Sequence, residues 1–73
     1  MQASYRIEIE QEADGRFLAE VMELPGVMAY GQTSEDAVAH VQALALRVLA
    51  DRLEDGEGPR GPMSVGFETS AAA

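Results

Sequence analysis

Few side chains in this sequence could do chemistry. Glu8, Glu10 and Glu20 are the best placed of its thirteen acidic residues, because each falls on the polar side of an alternating stretch. Carboxylates that converge at strand ends can hold divalent cations and drive metal-dependent phosphodiester cleavage. Glutamates at every second position are also the ordinary pattern of a wetted sheet face. The sequence has no lysine or asparagine and only one histidine to complete such a site. His40 therefore has no second histidine or cysteine to share a metal, and it reads as a solvated residue on the polar side of a helix. Ser34 and Ser64 lack a plausible base. Gly26 and Gly31 are too few and too poorly spaced for a phosphate loop. The residues point away from catalysis: no catalytic residue, metal site or cofactor is expected.

The elements that carry these residues follow from periodicity. In SYRIEIEQ, Tyr5, Ile7 and Ile9 alternate with Ser4, Arg6, Glu8 and Glu10, the signature of a strand with one buried face. Asp14-Gly15 marks a hairpin turn. RFLAEVMEL is a second strand, with Phe17, Ala19 and Val21 on the core side. Leu18, Glu20 and Met22 lie on the other side. Pro25-Gly26 ends that strand, and VMAYG forms a short third, with Val27 and Ala29 inward and Met28 and Tyr30 outward.

Thr33 is the expected helix N-cap, with Asp36 placed to reach back to the cap amide. Glu35 and Asp36 stand at the positive end of the helix dipole. Ala37, Val41, Leu44, Ala45, Val48 and Leu49 make one apolar stripe, with Asp36, His40 and Arg47 opposite. Gly56 is the expected stop, which bounds the helix at about residues 34 to 54. DGEGPRGP is a loop, and MSVGFET resumes alternation as a fourth strand. The fold expected is α+β, in the order β-β-β-α-β. A right-handed crossover brings strand four parallel to strand one. The result is a mixed sheet of order 3-2-1-4 with the helix across one face. Residues 1–69 form the single domain, and 70–73 are expected to fray.

Composition narrows the function. A formal charge of −8, with five scattered arginines and no lysine, disfavours direct nucleic-acid binding and suits a basic partner. No apolar run approaches the roughly 20 residues of a membrane span, and no signal-peptide pattern is visible. The default expectation is a cytoplasmic protein. A chain of 73 residues without cysteine has a thin core and no disulfide to support it, so a homo-oligomer is expected. The unusual feature is the outward face of strands two and three. Leu18, Met22, Met28 and Tyr30, beside Glu20, make a partner or oligomer interface.

The run DGRFLAEVMELPGVMAYGQTSEDAVAHVQALALRVL resembles the HicB-like antitoxin family in its single-domain form. The positions that carry the likeness are Asp14, Gly15, Phe17, Ala19, Leu24, Pro25, Gly26, Gly31, Thr33, Glu35 and Ala37, and it spans about residues 4 to 55. It implies a truncated ribonuclease H-like fold and a non-enzymatic role. Such antitoxins bind and neutralise HicA, a small basic mRNA-cleaving toxin. Val27 stands where the family often has cysteine, a swap a core tolerates. Many members continue into a DNA-binding domain, which is not expected here because the sequence ends after strand four. Two alternatives accompany this reading: a metal-dependent ribonuclease using Glu8, Glu10 and Glu20, and a structural homo-oligomer with no toxin partner.

Overall fold

The computed structural model describes residues 1–71. Strands β1 (Gln2–Gln11), β2 (Phe17–Val21) and β3 (Met28–Gly31) precede helix α1 (Ser34–Glu54), and β4 (Ser64–Ala71) follows it. The four strands lie in the order β3-β2-β1-β4. The β1–β2 and β2–β3 pairs are antiparallel, and β1–β4 is parallel. This is the expected α+β architecture. Strand four runs further than its alternation indicated: Ser70 pairs with Glu8 and Ala71 with Ile9. Two residues of the expected frayed tail are thus strand, and 72–73 lie outside the described residues.

The registers put Ile7 opposite Val21 and Ile9 opposite Ala19, so the apolar residues of β1 and β2 share one face. Ile7, Ala19 and Val21 are buried there, together with Leu24 and Val27 from the connecting turn. The helix contributes Ala37, Val41, Ala45 and Leu49. Tyr5, Ile9, Phe17, Val38, Leu44, Val48 and Phe67 close around this cluster. The Tyr5 and Phe67 rings meet at 5.7 Å between centroids. Burying a large aliphatic side chain is worth about 1.5–3 kcal/mol, so a core of this size has little to spare.

The β2–β3 connection, residues 22–27, contains a four-residue turn from Leu24 to Val27. The Val27 amide donates to the Leu24 carbonyl at 3.0 Å, with Pro25 and Gly26 between them. Proline supplies the fixed φ of the first central position, and the second needs a positive φ, which Gly26 adopts at 85°. Leu24 is thereby turned inward and buried. Where β2 ends, Met22 still donates to the Arg6 carbonyl at 3.0 Å. The Arg6 amide finds its acceptor in the Glu23 carboxylate at 2.8 Å instead of a main-chain carbonyl.

Thr33 caps the helix as expected, its Oγ1 accepting from the Asp36 amide at 3.0 Å. Among the described residues no bond returns from the Thr33 amide to the Asp36 carboxylate. Aspartate is one methylene shorter than the glutamate of a full capping box. At the other end the Gly56 amide donates to Leu53 at 3.1 Å and the Glu57 amide to Arg52 at 2.8 Å. These two bonds make a Schellman stop, with Gly56 as its left-handed residue.

Gly31 is the most crowded of the glycine positions. A Cβ added there would stand 2.8 Å from the Asp36 carbonyl carbon and 2.9 Å from Ala37 Cα. These are backbone atoms of the first helical turn and cannot rotate aside. Gly31→Ala is expected to lower stability by about 1–3 kcal/mol, the usual range for overpacking. Denaturant unfolding checks this, with Gly61→Ala, where nothing lies within 4 Å, as a nearly silent control.

Candidate functional site

The antiparallel registers place the outward residues of β1, β2 and β3 in rows. Glu8 stands opposite Glu20, Glu10 opposite Leu18, Leu18 opposite Tyr30, and Glu20 opposite Met28. A carboxylate pair and an apolar group thus share one surface. Met28 is 43% exposed, Tyr30 44% and Met22 38%. Met22 sits just past the end of β2, in the turn. Leu18 is only half-buried rather than free, because it has Glu10 on one side and Tyr30 on the other. Sequence alternation reports which face a residue points to, not what its cross-strand neighbours cover.

Tyr30 is fixed from two directions. Its hydroxyl donates to the Glu12 carboxylate at 3.3 Å, and the Arg16 guanidinium lies 4.2 Å from its ring centroid. Arg16 is itself held by Asp14. The Arg16 amide donates to Asp14 Oδ1 at 3.0 Å, and its Nε to Oδ2 at 2.7 Å. The β1–β2 turn therefore positions an aromatic ring on β3, a cation–π arrangement worth about 0.5–1 kcal/mol at an exposed site. No sequence pattern marked Arg16 or Glu12 as part of this surface. Their only signal was proximity to the Asp14-Gly15 turn.

His40 is exposed, as expected of a polar-face residue, but it is not merely solvated. Its Nδ1 lies 2.9 Å from the Tyr30 carbonyl oxygen. A carbonyl can only accept, so Nδ1 carries the hydrogen in this bond. The bond ties α1 to the outer edge of β3.

The residues that could have formed other sites do not converge. Glu8, Glu10 and Glu20 border a shallow hollow of about 40 Å³. Among the described residues, no group of three or more histidine, aspartate or glutamate side chains is close enough to hold a metal ion. The ribonuclease alternative thus receives no ligand set from these side chains. Ser34 lines a larger open hollow of about 370 Å³ between α1 and the inner face of β1 and β4, with Ile9, Val38, Gln42 and Thr69. Its hydroxyl donates to the neighbouring Glu35 carboxylate at 2.6 Å, which holds that carboxyl below its ordinary range. Ser64 is exposed and begins β4. No helix among the described residues is long and apolar enough to cross a membrane. Compared with protein-family models, curated proteins and solved structures, the chain finds no match.

The carboxyl of Asp14 lies below its ordinary value of 3.8, first because the Arg16 amide donates to it and then because of the Arg16 side-chain bond. A depressed folded-state value means the contribution is complete above the unfolded-state pKa and disappears as pH falls through the folded one. Asp14→Asn is expected to lower the melting temperature slightly at neutral pH. The difference from the parent should vanish in melts taken well below the ordinary carboxylate range, about pH 2.

Proposed function

We propose that this protein is a non-enzymatic binding module that docks a basic protein on the outer face of β1–β3, in the manner of a HicB-like antitoxin masking a small basic ribonuclease. One observation carries the reading: the Glu8–Glu20 carboxylate pair faces outward beside Met28 and Tyr30. Like charges directly opposite one another cost stability in the free chain. A cationic partner relieves that repulsion, and Met28 and Tyr30 supply the apolar contact that such interfaces concentrate at their centre. The excess of thirteen acidic over five basic residues extends the same field over the surface and speeds encounter with a positive partner. A HicA-like toxin, whose own surface must attract RNA phosphates, has that complementary charge.

The direct test is a titration against the HicA-like toxin of the same organism, with RNA cleavage as a second readout. Saturable binding that protects RNA is expected, and its affinity should fall steeply with salt. An absence of complex at micromolar concentration and low salt overturns the proposal. Within a complex, Tyr30→Ala is expected to cost about 2 kcal/mol, roughly a thirtyfold weaker affinity. Glu20→Lys should slow association without altering the far-ultraviolet circular dichroism spectrum.

A further inference from the structure

The two edges of the sheet are not alike. The edge at β3 is four residues long, its last residue lies beneath the first helical turn, and the Tyr30 carbonyl is taken by His40. The edge at β4 is eight residues long, and no described strand pairs with its outer side. Its sequence, SVGFETSA, holds no proline and no lysine and one charge, Glu68. Proteins that stay single usually protect such an edge with charge, proline or brevity. The chain is also extended for its size. Its Cα radius of gyration is 13.1 Å, against about 11 Å for a compact domain of this length. It exposes 4885 Å², where a compact chain of this mass exposes about 4,400 Å².

We infer that β4 is a self-pairing edge: a second copy of this chain adds its own β4 antiparallel across a two-fold axis at Phe67, joining the two sheets into one. The phase of the ladder supports this. The Met1 ammonium donates to the Pro62 carbonyl at 3.0 Å, and the Ser64 amide donates to the Met1 carbonyl at 2.8 Å. In a parallel pair this alternation continues, so even-numbered residues of β4 bond to β1. The amides and carbonyls of Val65, Phe67 and Thr69 are left pointing at the open edge.

Charge and length select the register. A two-fold perpendicular to the sheet keeps each face continuous and pairs odd residues with odd ones. Centred on Phe67, it sets Phe67 against Phe67, Val65 against Thr69, and Gly66 against Glu68 of the other copy. Moved by one residue toward the C-terminus, it would set Glu68 against Glu68, a like-charge opposition that costs stability. Moved the other way, it shortens the paired stretch. The Phe67-centred register therefore keeps the longest pairing with no opposed charges. Its inner face gains Phe67 and Val65, which α1 does not cover, because the helix lies over β3 and β2 and only grazes β1. The contact is isologous, the commonest kind in homodimers. It leaves the outer face of β2 and β3 free and does not rest on the toxin-binding reading.

Sedimentation equilibrium of the full chain and three variants tests this. The parent is expected to run at twice its 7.8 kDa mass. Gly66 has open space around its Cβ position, so Gly66→Glu folds normally and places a carboxylate opposite Glu68, weakening the dimer roughly tenfold. Gly66→Lys places an ammonium there and should hold the dimer at least as tightly. Thr69→Pro removes an edge amide that β1 does not use and should yield monomers with an unchanged circular dichroism spectrum. A monomeric parent at all concentrations overturns the inference, as does a dimer indifferent to both Gly66→Glu and Thr69→Pro. Tyr30→Ala should leave the dimer intact, and its dissociation by that change would move the contact to the outer face and overturn the β4 assignment.

Discussion

The separation between helix and sheet is the constraint on which the rest of the molecule depends. The buried face of α1 is Ala37, Val41, Ala45 and Leu49, and two of these four side chains are a single methyl. Small residues let a helix axis approach a sheet closely, and Gly31 lets β3 end directly under the first turn. With the helix so low, Ile7, Ala19 and Val21 are sealed by Val41 and Leu49 and two methyl groups from above. A chain of 73 residues cannot fill a deeper gap, so closeness replaces volume. The Thr33 cap and the Gly56 stop then fix where the helix begins and ends along that contact.

The sheet's two faces are built on opposite physical terms. Among the described residues the inner face has no buried polar or charged side chain, and no buried polar side-chain atom lacks a partner. The outer face places Glu8 against Glu20, an arrangement that a sheet optimised only for its own stability would avoid. The sole ion pair among the described residues, Arg16 with Asp14, lies in the β1–β2 turn. It does not neutralise that pair. Being exposed on both sides, it steadies the guanidinium over Tyr30 more than it stabilises the fold.

Much of this architecture was legible in the residues. Alternation from Tyr5 to Ile9 and from Phe17 to Val21 assigned faces correctly, because β1 and β2 each bury one side. The apolar stripe from Ala37 to Leu49, with threonine before it and glycine after it, bounded the helix to the residue. What stayed hidden depends on distance between segments. Ser70 and Ala71 carry no strand pattern and join β4 because Glu8 and Ile9 are there to pair with them. The His40–Tyr30 bond joins residues on different elements, and neither residue type announces it. Met28 and Tyr30 were placed outward by parity alone, whereas the partial covering of Leu18 required knowing the register.

The bond from His40 to the Tyr30 carbonyl has a consequence for how many molecules can join. In an antiparallel sheet the residues not bonded to the neighbouring strand turn their main-chain groups outward. The bond from Val21 to Val27 sets that phase, which leaves Tyr30 among the outward ones. The imidazole occupies the acceptor that an added strand would need there. A sheet blocked at one side and open at the other has a valence of one. Two such sheets joined at β4, as proposed above, would terminate each other, and growth would stop at a closed pair where two open edges would propagate a filament.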